Sequence, residues 1–254
     1  MVPALLALIF LGLPLLALLI KAPWDRLWQV LTSPTSLDAL RLSLTTASAA
    51  TLVAFIIGVP LAWLLARQEF VGRKFARALV TVPLVLPPVV GGIALLLAFG
   101  RRGIVGQYLD QWFGITLPFT TPGVVVAEAF VAMPFLIITV EGALRSLDGR
   151  FEDAAATLGA SRLTIFRRVT LPLIAPSLIA GAVLTFARAL GEFGATITFA
   201  GNLPGVTQTL PLAVYVGLEG DPAEAVALSL VLLAVSVTVL VVLRDKWLRT
   251  GASA

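Results

Sequence analysis

The sequence predicts an all-α integral membrane protein of six transmembrane helices, with a short cytoplasmic helix on one loop. Three observations carry that reading. Hydrophobic residues make up 59% of the chain and charged residues 13%, where a soluble domain carries about a quarter charged residues. The apolar residues gather at roughly Val2–Ile20, Leu42–Ala66, Leu79–Phe99, Val124–Leu144, Leu173–Phe199 and Ala223–Leu243, each near or above the ~20 residues that a helix needs to cross a hydrocarbon core. The basic residues, finally, favour alternate loops.

The first run lacks the basic leader and the small-residue cleavage site of a signal peptide, because Met1-Val2-Pro3 opens it and Lys21 follows it. It is read as a retained span. Trp24 and Trp28, beside Asp25 and Arg26, read as an interfacial segment on the outer surface. Residues 1–37 therefore form one unit, 38–243 the main membrane domain and 244–254 a cytoplasmic tail.

The third run, "LVTVPLVLPPVVGGIALLLAFG", holds Pro83, Pro87, Pro88, Gly91 and Gly92. Proline removes a helix hydrogen bond, and in lipid the freed carbonyls need new partners. A kinked packing helix and a helix bent around a pathway both satisfy the pattern. The fourth run carries Glu128, toward the outer side, and Glu141, near the cytoplasmic interface.

Between the fourth and fifth runs lies "LRSLDGRFEDAAATLGASRLTIFRRVTLPLIAPSL", residues 144–178. Asp148 suits a helix start, with Glu152 and Asp153 in the first turn where negative charge matches the helix dipole. Phe151, Ala154, Ala155 and Leu158 recur at helical spacing as one apolar face, and Gly159 suits a C-terminal cap. Pro172 and Pro176 then fit the first turns of the fifth span. Such a helix suits a partner's groove, or else lies flat on lipid headgroups.

The fifth run contains "TFARALGEFGATITFAGN", residues 185–202. Arg188 and Glu192 stand four apart, which places them on one helix face as a pair. They read as a structural brace or, alternatively, as a transient oxyanion contact. Gly191, Gly194 and Ala195 permit close helix approach and suggest a dimer seam. Thr196, Thr198 and Asn202 offer neutral polar contacts further out, and residues 201–211 read as an outer loop.

Orientation follows from charge. Arg67, Arg73, Lys74, Arg77, Arg145, Arg150, Arg162, Arg167, Arg168, Arg244, Lys246 and Arg249 share one side. Lys21, Arg26, Arg41, Arg101 and Arg102 lie on the other. The positive-inside rule makes the first side cytoplasmic and places both termini there.

Cysteine and histidine are both absent. That excludes disulfides, Cys/His metal sites, a thiol nucleophile and an imidazole base. No catalytic residue and no metal site is assigned. A membrane-embedded enzyme would need clustered nucleophiles or ligands at depth, and no aspartate pair lies in the spans. A secondary transporter is also disfavoured, since no clear inverted repeat relates the halves.

The loop resembles the ATPase-coupling loop of ABC importer permeases, whose pattern is E-A-A-x3-G-x9-I-x-L-P. Here it reads Asp153-Ala154-Ala155, Gly159 and Val169-Thr170-Leu171-Pro172, with Glu152 one residue early. "PLVLPPVVGG" at 83–92, "GRRG" at 100–103, "FGIT" at 113–116 and "FARALGEFGATITFAGNLPG" at 186–205 are similar to the molybdate/tungstate branch. Sulfate and thiosulfate permeases share part of this pattern.

The resemblance covers about residues 38–243. It implies a five-helix permease core plus the N-terminal span, in the inner membrane of a prokaryote. It further implies a homodimer with two cytoplasmic ABC ATPase subunits and an extracytoplasmic molybdate/tungstate-binding protein. ATP and Mg would sit on the partner ATPase, since no G-x-x-x-x-G-K-[ST] occurs in this chain. Molybdate or tungstate would be cargo, the surroundings membrane lipid, and no nucleic acid is involved. Residues about 145–172 would couple to the ATPase, while Pro87, Pro88, Arg188, Gly191, Glu192, Gly194, Ala195, Thr196 and Thr198 would serve gate and packing.

Overall fold

A computed structural model describes residues 2–250, with side chains described up to residue 239 and at 241. The side chains of Arg244, Lys246 and Arg249, and residues 251–254 of the expected tail, lie outside this description.

α1 (Val2–Ile20) has no buried residue and, among the described residues, packs mainly on α13, so its leucines are left for lipid. The Trp24 indole N–H donates to Leu19 O at its end. α2 (Leu27–Leu31) is a single surface turn leading to Ser33. Ser33 caps α3 (Pro34–Arg67) by accepting from the Ser36 N–H, with Pro34 in the first turn. The 34 residues of α3 reach about 51 Å, longer than a bilayer's hydrocarbon core. Its buried stripe is small: Ala39, Ser43, Ala47, Ala50, Ala54, Gly58 and Ala62. Small side chains let backbones approach, and α3 packs most extensively on α7.

The third apolar run is two helices, α4 (Arg73–Val85) and α5 (Pro88–Phe99), which corrects the expectation of one span. Leu86 and Pro87 are extended, at ψ 133° and 132°. Each precedes a proline, and proline disfavours the helical region for its predecessor. Two prolines in succession thus turn a kink into a break.

α6 (Gly106–Phe113) is a short outer helix. α7 (Thr121–Ser146) is the hub, capped by Thr120 and buried against α3 on one side and α10 on the other. The loop helix forms as α8 (Arg150–Thr157). The return begins at α9 (Arg162–Ile165), which Ser161 caps. It passes through a π-helical turn, Phe166–Thr170, into α10 (Leu171–Leu190). This corrects a second expectation, because the helix starts at Arg162 and Pro172 and Pro176 lie well inside it. A wider turn immediately before Pro172 relieves the clash between its ring and the preceding turn.

The fifth run also stops early. α10 ends at Leu190, and α11 (Gly194–Ala200) starts after a three-residue break. The segment read as loop over 201–211 already becomes helical at Leu210, as α12 (Leu210–Gly220). α12 packs beside α13 (Pro222–Thr250), with Gly217 against Ala225. Among the described residues five helices are long and apolar enough to cross a membrane: Val2–Ile20, Pro34–Arg67, Thr121–Ser146, Arg162–Leu190 and Pro222–Val239. The remaining expected span is the α4–α5 pair.

Candidate functional site

Two places draw the chemistry-bearing residues together, one at the loop between α7 and α10 and one among the helix breaks.

In the loop between α7 and α10, Asp148 Oδ1 accepts from the Arg150 N–H and so starts α8. Gly159 ends it at φ +80°, a left-handed conformation that suits glycine. The Gly159 N–H donates to Ala156 O, and the Ala160 N–H to Ala155 O. That pair of bonds is the Schellman cap, which satisfies the last carbonyls of the helix. Of the apolar face, Phe151 is 57% exposed and Leu158 88%; Ala154 is exposed and Ala155 half-buried. The face therefore points away from the membrane domain, with nothing among the described residues covering it.

The two neighbouring carboxylates point differently. Asp153 is exposed. Glu152 turns inward, where Arg67 Nη2 donates to Oε1 at 3.1 Å and lies 3.0 Å from Oε2. Its Oε1 also accepts from Thr170 Oγ1 at 2.6 Å. Thr170 is fully buried. Sequence reasoning named neither Arg67 nor Thr170 as partners of the loop. They stand 85 and 18 residues from Glu152, and no local periodicity links them. Leu171 is half-buried and Pro172 exposed on the same return segment.

The second place lies where both broken helices meet. Gly194 sits against Pro88, so closely that a Cβ on it would stand 2.6 Å from the Pro88 Cβ. Gly92 is pressed likewise against Thr198 and Ala195 O, at 2.5 and 2.9 Å from a built Cβ. The close approach that Gly194 and Ala195 permit is therefore spent inside one chain, between α5 and α11. Gly191 ends α10 and is exposed, a Cβ on it meeting Ala187 O at 3.6 Å, and Pro87 and Pro88 are exposed.

Arg188 and Glu192 do pair, Nη2 to Oε2 at 2.6 Å. They do not share a helix face, because α10 has ended before Glu192. Glu192 is 1% exposed, and its Oε1 accepts from the Ala195 N–H at 2.8 Å. It thus fills one of the backbone donors that the break would otherwise leave bare in lipid. The Arg188 side chain remains 29% exposed.

Thr198 Oγ1 is turned back onto Gly194 O. Thr196, expected further out, is fully buried with an unpartnered hydroxyl, because α11 folds its inner face against α5 and α7. Asn202 Oδ1 is likewise buried without a partner.

Glu128 on α7 is 1% exposed. Thr46 Oγ1 on α3 lies 2.9 Å from Glu128 Oε1. Glu141 pairs with Arg77 and, at 3.8 Å, with Arg145, near the cytoplasmic ends of α4 and α7.

Comparison with known proteins places this architecture. The model of the family described as "Binding-protein-dependent transport system inner membrane component" matches residues 58–250. The Molybdenum transport system permease protein ModB of Mycobacterium tuberculosis is 50% identical over 237 residues, covering 93% of this chain and 89% of that protein. The Sulfate transport system permease protein CysT of Salmonella typhimurium is 41% identical over 232 residues, covering 90% and 83%. Among solved structures, a bacterial alginate ABC transporter in complex with an alginate pentasaccharide-bound periplasmic protein superposes with a TM-score of 0.76. That match is 21% identical and covers 96% of this chain and 90% of the other, and it speaks to the fold alone.

Proposed function

This chain belongs to the family of binding-protein-dependent transport system inner membrane components, and from that premise we infer that it is the permease subunit of a molybdate importer. It is a transport subunit and not an enzyme. It acts as one of two copies in the inner membrane, with both termini cytoplasmic. Two ABC ATPase subunits hold ATP and Mg below it, and an extracytoplasmic protein delivers molybdate or tungstate from above.

One observation carries the coupling role: α8 is capped at both ends and anchored through Glu152, yet presents Phe151, Ala154 and Leu158 to the cytoplasm uncovered. An apolar helix face of this kind docks in a groove. ATP closes the partner ATPases, the two α8 helices move with them, and the spans open outward to receive the anion. Hydrolysis resets them. The paired breaks at Pro87-Pro88 and Gly191–Phe193 flank the route, since irregular backbone at membrane depth belongs beside protein or a water-lined cavity. Glu192 neutralises much of the charge of Arg188, so an oxyanion meets only a weak site there, as conduction requires.

Sulfate import is the second reading, favoured by the identity to a sulfate permease over most of the chain. Proteoliposomes containing this chain and its ATPase separate the two. Uptake from a molybdate-loaded binding protein with none from a sulfate-loaded one supports molybdate, and the reverse result replaces that reading. Arms loaded with tungstate rank the two heavier anions.

A further inference from the structure

Glu152, Arg67, Trp63, Phe166 and Thr170 close a ring. Glu152 on α8 takes both Arg67 Nη2 and Thr170 Oγ1. The guanidinium of Arg67, the last residue of α3, lies 5.8 Å from the centroid of the Trp63 ring one turn earlier. Trp63 meets the Phe166 ring edge-on, with centroids 5.3 Å apart. Phe166 opens the π-helical turn and Thr170 closes it, which returns the path to Glu152. Three elements that are remote in sequence are thus held in one circuit.

We propose that this ring is the joint through which displacement of α8 is delivered to α3 and to the π-helical turn at the base of α10. Glu152 is its positioning residue.

The physical reasons are separable. The Glu152 and Arg67 side chains are 20% and 25% exposed, so their attraction is screened less than that of a surface pair. The hydrogen bond from Thr170 fixes where the carboxylate sits. The aromatic pair gives lateral stiffness, since edge-to-face rings resist sliding. A π-helical turn, one residue wider than its neighbours, is a place where a helix can change register. α8 touches the rest of the chain mainly at α9 and this turn. Motion imposed on Phe151 and Leu158 therefore has few other routes inward.

This inference rests on the reading that α8 docks on an ATPase, and the experiment keeps the two apart. The full complex of two permease copies, ATPase and loaded binding protein is reconstituted in proteoliposomes. ATP hydrolysed per anion imported is then measured for Glu152→Gln, Thr170→Val, Thr170→Ser and Leu158→Arg. Glu152→Gln and Thr170→Val are each expected to raise the ratio about tenfold, the middle of the usual range of coupling energies between sites. The ATPase should stay bound in both.

Thr170→Ser keeps the hydroxyl that Glu152 accepts and should hold the ratio near the parent value, a rescue that a general loss of packing at this position would not give. A ratio unchanged in both Glu152→Gln and Thr170→Val, or raised as far in Thr170→Ser as in Thr170→Val, overturns the ring. Where Glu152→Gln fails to assemble, the two Thr170 variants decide on the same criteria. Leu158→Arg addresses the docking itself. If it leaves the ATPase bound, the reading of α8 falls; if it releases the ATPase while the ring variants leave the ratio unchanged, only the ring falls.

Discussion

Arg188 and Glu192 meet at 2.6 Å across the end of a helix and not along one. Arg188 stands in the last turn of α10, where a cation suits the negative end of the dipole. Glu192 stands ahead of α11 and holds the Ala195 N–H with its other oxygen. Each residue therefore has two tasks, and the pair cannot be inverted. Arg188→Ala is expected to destabilise by about 3–5 kcal/mol, the cost of stranding a buried charge. Exchanging the two residues is expected not to restore stability, because arginine at 192 accepts no hydrogen bond. Melting in nanodiscs reads both, and full recovery by the exchange would refute the capping role.

Gly194→Val would force a side chain onto Pro88. Overpacking of this kind costs about 1–3 kcal/mol, and a larger loss is expected here because the neighbour is a ring next to backbone. Gly142→Ala is the control: a Cβ there meets nothing within 4 Å, and alanine gains about 0.5–1 kcal/mol in a helix. The two melting shifts should have opposite signs.

Thr46 Oγ1 lies 2.9 Å from both Leu42 O and Glu128 Oε1, and a hydroxyl has a single proton to share between them. Glu128→Gln supplies an amide donor to Thr46 and satisfies both contacts. It is expected to melt close to the parent chain. Glu128→Ala removes the partner and leaves a cavity, at about 1–3 kcal/mol or more. Equal melting of the two variants would show that the Thr46 contact is idle.

Outside the membrane, Asp110 accepts from Arg101 Nε at 2.9 Å and faces Thr116. The Arg101 hydrogen bond holds its carboxyl below the ordinary carboxylate range, with Thr116 and the Arg101 charge acting the same way. A depressed value means that the contribution is present above the unfolded value and lost as pH falls through the folded one. The protection factors of amides in residues 100–116, which remove the intrinsic pH dependence of exchange, are expected to fall on acidification in the parent chain. In Asp110→Asn they should be low and nearly flat with pH. Parallel pH profiles would remove Asp110 as the cause.

Gly159 combines φ +80° with an N–H donated to Ala156 O. Proline fits neither, because its φ is negative and it has no N–H. Gly159→Pro is expected to lower uptake at least roughly tenfold, the scale of a lost inter-site coupling, with insertion and dimerisation intact. Parent-like uptake would count against α8 as the coupling element.

Much of this was legible in one dimension because membrane helices are dictated by composition. The apolar runs located α1, α3, α7 and α13 to within a few residues of their cores. Asp148 and Gly159 marked the ends of α8 through local chemistry, since caps depend on neighbours in sequence. Hydropathy failed at the breaks. A run such as 173–199 stays apolar through Gly191–Phe193, so the end of α10 left no trace in it. Likewise, Pro172 looked like a helix start because the π-helical turn that accommodates it has no composition of its own. α12 had a signal, Pro211 in its first turn after Thr209, but the polar segment before it suggested a loop.

The sequence by itself determined the solvent of most of this surface and the places of the long apolar helices. Apolar content and the spacing of apolar runs are properties of composition and order. Tertiary structure alone decided which carboxylate of Glu152 and Asp153 turns inward, and that Gly194 serves Pro88 of its own chain. These outcomes depend on contacts between residues tens of positions apart. In such contacts a difference of one residue in where a helix stops rotates a side chain from lipid to core.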